Sequence, residues 1–325
     1  MDRRTFIQLA AASLALPAHA RATDAAMPVA DHHQHLFSPA IARLLDTGAG
    51  GPPVIAAKDV IALLDTAGIR RAVLLSAAYV WGSPARKIDD EYAKVRAEND
   101  YNGTQAAQYP DRLRAFWSVN PLKDYALDEL ERCAALPDLR HGLKLHFGNS
   151  DVQLDLPEHV DRLRKVFAAA NAKKMAVAVH LRASVSKRRP YGAAQARVFL
   201  EELLPAAPDV TVQVAHLAGT GPGYDDAPSD EALGVLAAAV AAKDKRTRRL
   251  WFDVATVANP EITPEQQAQV AQRIRQIGVG RVLFGSDAAS GKNLRPAESW
   301  AAFRKLPLTE GEFARIARNV APYLA

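Results

Sequence analysis

Eight short, mostly apolar runs recur along the chain, and helical patterns fill most of the gaps between them. The runs are Val29–His35, Arg70–Ala77, Leu113–Asn120, His141–Phe147, Met175–Leu181, Val210–Leu217, Leu250–Thr256 and Arg281–Asp287. Many of their residues are β-branched. Continuous apolar character of this kind suits strands buried on both faces of a parallel sheet. Asp59–Ala67 reads as a helix with Asp59 placed to cap it and Gly68 to stop it. Further helical patterns cover Glu91–Gln108, Asp124–Ala135, Pro157–Lys173, Ala193–Leu204, Asp230–Ala242 and Pro264–Ile277, where Pro264 suits a first turn. Glu298–Lys305 and Glu310–Ala321 complete the set. Eight strands alternating with helices predict an α/β fold, the (β/α)8 TIM barrel. A doubly wound open sheet is the alternative. No GxGxxG turn follows the first strand, which counts against its dinucleotide-binding form.

With 325 residues, 49% of them hydrophobic and 24% charged, the chain suits one such barrel as a single domain over residues 23–325. The formal charge of +5 is scattered along the sequence rather than gathered into a stripe with aromatics, so nucleic acid is not an expected partner. The single cysteine, Cys133, has no second thiol for a disulfide or a zinc–thiolate site. It lies in a helical pattern and is expected to be a buried, inert thiol. Gly48–Pro53 and Gly219–Ser229 read as long loops after strands.

The first residues form an address. Asp2-Arg3-Arg4-Thr5-Phe6-Ile7-Gln8 resembles the twin-arginine export motif, and a short apolar run from Leu9 to Leu16 follows. Pro17 and the small-residue site Ala18-His19-Ala20, or Ala20-Arg21-Ala22, complete a signal-peptide layout. Residues 1–22 are therefore expected to be a cleaved twin-arginine signal, and the mature protein to be periplasmic. No other stretch has the length of apolar sequence that a membrane anchor needs.

Of the nine histidines, six fall at or near the C-terminal ends of expected strands: His32, His33, His35, His146, His180 and His216. That face of a barrel holds its active site. Side chains alternate along a strand, so His33 and His35 point one way while His32 and Gln34 point the other. With His180 ending the fifth strand and Asp287 the eighth, three imidazoles and one carboxylate make a ligand set for one divalent ion, zinc first and manganese or iron next. His216 completes the group beside the water that such an ion would activate. Read as structure instead, His216 is a core histidine and Asp287 a helix cap.

Asp31-x-His33-x-His35, Gly142-Leu143-Lys144-Leu145, His180, His216 and Gly285-Ser286-Asp287 together resemble the amidohydrolase superfamily, in its amidohydrolase-related (amidohydrolase 2) branch. Ile316-Ala317-Arg318-Asn319-Val320 resembles that branch's last helix, so the likeness covers about residues 29–324. The stretch Asp287-Ala288-Ala289-Ser290 lacks the proline that often follows the aspartate. The resemblance implies a mononuclear site with His33, His35, His180 and Asp287 as ligands, His216 orienting the water, and Asp287 also accepting its proton. Lys144 is expected to pair with a buried carboxylate or to meet substrate, rather than bridge two metals.

The expected activity is metal-dependent hydrolysis of a small carboxylate-bearing ester, lactone or amide. Decarboxylation of a related acid is the close alternative, and a non-catalytic exported binding protein the distant one. Expected substrate contacts are Lys144, His146 and Arg182, the last two residues beyond His180 and so on the same face if the strand continues. Lys187-Arg188-Arg189 either adds positive potential or is a solvated loop. Tyr79 and Trp81 either wall the site or simply pack the barrel top. The expected partners are a small-molecule substrate and the twin-arginine machinery, and the sequence leaves a homodimer open.

Overall fold

All eight apolar runs form parallel strands, arranged in chain order around one sheet in the computed structural model, which describes residues 26–46, 51–289 and 293–325. They are β1 (Ala30–Gln34), β2 (Arg71–Leu75), β3 (Leu113–Ser118), β4 (Gly142–His146), β5 (Ala176–His180), β6 (Val212–Val214), β7 (Leu250–Asp253) and β8 (Val282–Leu283). Backbone bonds from His32 N to Phe284 O (2.9 Å) and from Asp287 N to His33 O (2.8 Å) tie the segment after β8 back to β1. The sheet thus closes on itself and becomes a barrel. The twin-arginine segment lies outside the described residues. Among the described residues, no helix is long and apolar enough to cross a membrane.

The alternation of side chains builds two cores. On β2, Ala72 and Leu74 join the large layer between sheet and helices, while Val73 and Leu75 face inward. The inner cluster also holds Ala30, Phe116, Ala176 and Ala178, and Leu324 and Tyr323 from the end of the chain pack against it. Higher in the barrel the filling turns polar, with His33, Lys144, Gln213 and Asp253 all buried.

The helices follow the sequence pattern, with local corrections. Pro264–Ile277 forms as expected, opened by a capping box between Thr263 and Gln266. The helix expected over Asp59–Ala67 starts at Ala57, so Asp59 sits inside its first turn and accepts from Ala56 N at 2.9 Å. Gly68 ends it in the left-handed conformation, at φ 69°. The helix after β5 runs Ala193–Val198 and then loosens through Phe199–Leu203. Cys133 is fully buried on the helix Ala126–Ala134, and burial raises its thiol pKa far above the ordinary value, so it is inert.

The strands are shorter than the apolar runs because several runs end in loops that leave the ladder. β6 stops at Val214, and His216, Leu217 and Ala218 then take left-handed backbone conformations, with φ of 52°, 48° and 68°. His216 is therefore carried by a tight turn rather than by a strand. Asp287, at φ 52°, leaves β8 in the same way. Non-glycine residues rarely adopt this region, and they concentrate where a site must be built.

Candidate active site

At the C-terminal ends of the strands, a cavity of about 290 Å³ is lined by His33, His35, Lys144, His146, His180, His216 and Asp287, among others. Each expected histidine except His32 opens into it. His32 points away, as its strand position requires. Its Nδ1 lies 3.0 Å from Phe284 O, and its Nε2 accepts from Ala321 N at 3.2 Å. Burial lowers its pKa to about 4. It is a neutral core residue that ties β1 to the chain's end.

Three imidazoles share one arrangement. His33 Nδ1 donates to Asp253 Oδ2 (3.0 Å), His35 Nδ1 to Leu75 O (2.6 Å) and His216 Nδ1 to Ala255 O (2.8 Å). An acceptor at Nδ1 fixes the proton there and leaves the Nε2 lone pair free. Burial depresses the pKa of all three, to about 3 for His33, so they are neutral electron-pair donors near pH 7. His146 takes the opposite tautomer, because its Nδ1 accepts from Asn149 N at 3.2 Å. Cross-strand register places His146 directly beside His180, and their rings stack with centroids 3.9 Å apart.

Asp287 meets this group from the other side. Its Oδ2 accepts from Asn293 Nδ2 at 3.2 Å, while its Oδ1 is buried with no hydrogen-bond partner among the described residues. That oxygen stands 3.7 Å from His35 Nε2. A carboxylate oxygen and an imidazole lone pair that face each other with no hydrogen between them repel, unless a cation or proton sits between. Ligand atoms of His33, His35 and Asp287 all lie within 4.8 Å of one another. The donor set therefore suits a divalent cation. His180 lines the same cavity but lies outside that trio, its ring centroid 5.1 Å from that of His216.

A second trio, His33, His216 and Asp253, meets the same distance criterion. Asp253 is already saturated, however. Its Oδ2 takes His33 Nδ1 and Gln213 Nε2 (2.6 Å), and its Oδ1 takes His216 N (3.0 Å) and Ala255 N (3.1 Å). Burial alone would raise its pKa, but the interactions with His33 and His216, hydrogen bonds among them, override that and hold it far below the ordinary value. Asp253 is thus an anchor for two of the histidines. Nothing in the sequence reading singled it out. Its signal was an acid inside the apolar run Leu250-Trp251-Phe252-Asp253-Val254.

Asp31 is a second anchor. It accepts from Ser286 Oγ (2.6 Å), Ser286 N (3.1 Å), Gln34 Nε2 (2.8 Å) and His33 N (3.0 Å), which locks β1 to the Gly285-Ser286-Asp287 turn. Burial raises its pKa to about 6 against the pull of these bonds. Gly285 permits the close approach, since a Cβ there would lie 2.8 Å from His33 Cβ. Lys144 is fully buried with its Nζ 3.5 Å from His33 Nε2. Burial pushes Lys144 down and Asp287 up, while their opposite charges resist both shifts.

Arg182 does not line the cavity. β5 ends at His180, so the expected i,i+2 alignment is lost, and Arg182 pairs with Asp226 (2.5 and 3.4 Å) and covers the Tyr191 ring at 4.8 Å. Lys187 and Arg189 are both held by Asp151 at 2.9 Å. Tyr79 lines the cavity, whereas Trp81 is buried behind it.

The family model described as amidohydrolase matches residues 30–321. No curated protein sequence matches the chain significantly. Among solved structures, the chain resembles 5-carboxyvanillate decarboxylase of Sphingomonas paucimobilis at 16% identity and a TM-score of 0.61, over 90% of this chain and 96% of that one. It also resembles 5-carboxyvanillate decarboxylase of Novosphingobium aromaticivorans, solved with manganese and 4-hydroxy-3-methoxy-5-nitrobenzoic acid, at 15% identity and 0.60, over 91% and 95%. A probable 2-pyrone-4,6-dicarboxylic acid hydrolase of Acinetobacter baumannii, with citric acid bound, follows at 19% and 0.55, over 89% and 96%.

Proposed function

The chain belongs to the amidohydrolase family, and on that premise we propose that it is a metal-dependent enzyme acting on a small carboxylate-bearing ester, lactone or amide. The observation that carries the reading is the unpartnered Asp287 Oδ1 facing His35 Nε2 at 3.7 Å. His33, His35 and Asp287 would hold the ion, with His180 as a fourth donor and zinc, manganese or iron as its identity. When bound, such an ion supplies Lewis acidity, polarising a substrate oxygen and acidifying water.

The chain's own groups do the rest. His216 keeps its proton on Nδ1, held by Ala255 O, so its Nε2 is the free base that takes a proton from water. Asp287 Oδ1 is the second acceptor, kept bare by Asn293 binding only the other oxygen. Lys144 places positive charge beside His33, where negative charge on the substrate gathers. Burial of all these groups keeps bulk water from weakening the fields they make.

Non-oxidative decarboxylation of a related acid is the second reading. Support for it comes from the decarboxylases among the similar structures, the two named above included. Purified protein assayed for metal content, then for turnover of a lactone, ester and aromatic-acid panel with and without chelator, separates the readings. About one ion per chain with chelator-sensitive acid release supports hydrolysis, and carbon dioxide release supports decarboxylation. Tight ligand binding with no turnover would leave a binding protein. We also propose periplasmic export by the Arg3-Arg4 leader, which N-terminal sequencing of the secreted protein tests. A homodimer, tested by light scattering, is compatible with this reading.

A further inference from the structure

Resting on the reading of the cavity as the site of an acid-processing enzyme, we infer that Arg86 binds a second anionic group of the substrate, distinct from the group that reacts at the histidine–aspartate rim. Of the basic residues that the sequence placed near the barrel mouth, Arg182 is held by Asp226, Lys187 and Arg189 are held by Asp151, and Arg188 does not line the cavity. Lys144 lies against His33 at the floor. Arg86 lines the same cavity as Lys144 and Asp287, is half-buried, and its guanidinium makes no hydrogen bond or ion pair among the described residues. The acid nearest along the helix that follows, Glu91, is already held by Lys123 at 2.8 Å and by the Tyr125 hydroxyl.

The loop that presents Arg86 is built rather than loose. Tyr79 N donates to Ser118 Oγ (2.9 Å), Asn120 Nδ2 donates to Gly82 O (2.8 Å), and Arg86 N closes a turn on Ser83 O (3.0 Å). Trp81 is buried between these ties. A guanidinium held at a cavity wall with its donors open is matched by a planar carboxylate, which takes two parallel hydrogen bonds. The substrate class is therefore a compact acid with two anionic groups, such as a dicarboxylate, and Arg86 selects it over the monoanion.

The test titrates benzene-1,3-dicarboxylate and 3-carbamoylbenzoate, which differ by one charge, into manganese-loaded full-length protein by calorimetry. Wild type should prefer the diacid by about tenfold or more. Arg86→Gln should lose that preference to within about twofold, and Arg86→Lys should keep part of it. Metal content and melting temperature should not change, because the Arg86 side chain makes no hydrogen bond or ion pair among the described residues. An undiminished preference in Arg86→Gln, no preference in wild type, or failure of wild type to bind either probe at about 10 mM overturns the inference. Preference that depends on Arg86 in a protein without metal or turnover would instead overturn the proposed chemistry and leave the anchor standing.

Discussion

Asp253 Oδ2 lies 3.0 Å from His33 Nδ1 and, with its partner oxygen, receives four N–H groups in all. A carboxylate satisfies four donors, whereas an amide offers one acceptor oxygen and turns an NH₂ toward the other pair. Asp253→Asn must therefore either oppose His33 and Gln213 or oppose the two backbone amides. Loss of the anchor frees the His33 ring and its tautomer. Manganese affinity, measured by calorimetry, should fall about 10- to 100-fold. An unchanged affinity would show that His33 needs no help from β7.

The same anchor is reached from the bottom of the barrel. The Tyr323 hydroxyl donates to Gln213 Oε1, which forces Gln213 Nε2 toward Asp253. Tyr323→Phe leaves Gln213 Oε1 buried without a partner. The expected loss is about 1–3 kcal/mol in urea unfolding. Gln213→Met should weaken manganese binding as well, because it also removes the bond to Asp253.

Much of this was legible in the sequence, for a physical reason. Parallel barrel strands are buried on both faces, so all eight appear as apolar runs, and the His33–His35 spacing follows from strand alternation alone. What escaped notice depends on side chains paired across distant strands. Asp253 looks like any acid near a strand end until Gln213 and His33 are placed against it. The turn at His216–Ala218 has no glycine to announce its left-handed backbone, so the apolar run reads three residues past the end of β6 at Val214. Arg182 shares the face of His180 only if the strand continues, and β5 stops at His180. On the helix Glu91–Ala107 the buried face is polar, with Glu98, Asn99 and Asn102 turned inward, and hydrophobic patterning cannot show such a face. There Asn99 accepts from Ser76 Oγ (2.7 Å) and Ser118 N (2.8 Å), which ties helix to sheet.

Glu98 makes that helix a source of pH dependence away from the active site. It is 3% exposed, with a hydrogen bond from the Ser38 hydroxyl, and burial raises its pKa from 4.5 to about 7. The folded state thus holds the proton more tightly than the unfolded chain. The resulting stabilisation is complete below about 4.5 and is lost as pH rises through about 7. Its size is at most about 3 kcal/mol. Glu98→Gln should flatten the wild-type decline in unfolding free energy across that window. An equal slope in both proteins would place the titration elsewhere.

Binding and chemistry can be pulled apart at the rim itself. His35 and Asp287 face each other through their free ligand atoms, so His35→Ala or Asp287→Ala should leave the protein without stoichiometric metal by elemental analysis. His180 sits outside the closest trio, stacked on His146, and His180→Ala should weaken metal binding less than either. His216 belongs only to the trio whose carboxylate is already saturated, and its Nε2 is free for a proton. His216→Asn should keep the metal within a few-fold of wild type and lower kcat about a hundredfold or more, with KM little changed. Loss of metal in His216→Asn equal to that in His35→Ala would instead make His216 a ligand, and the free base would then have to be Asp287.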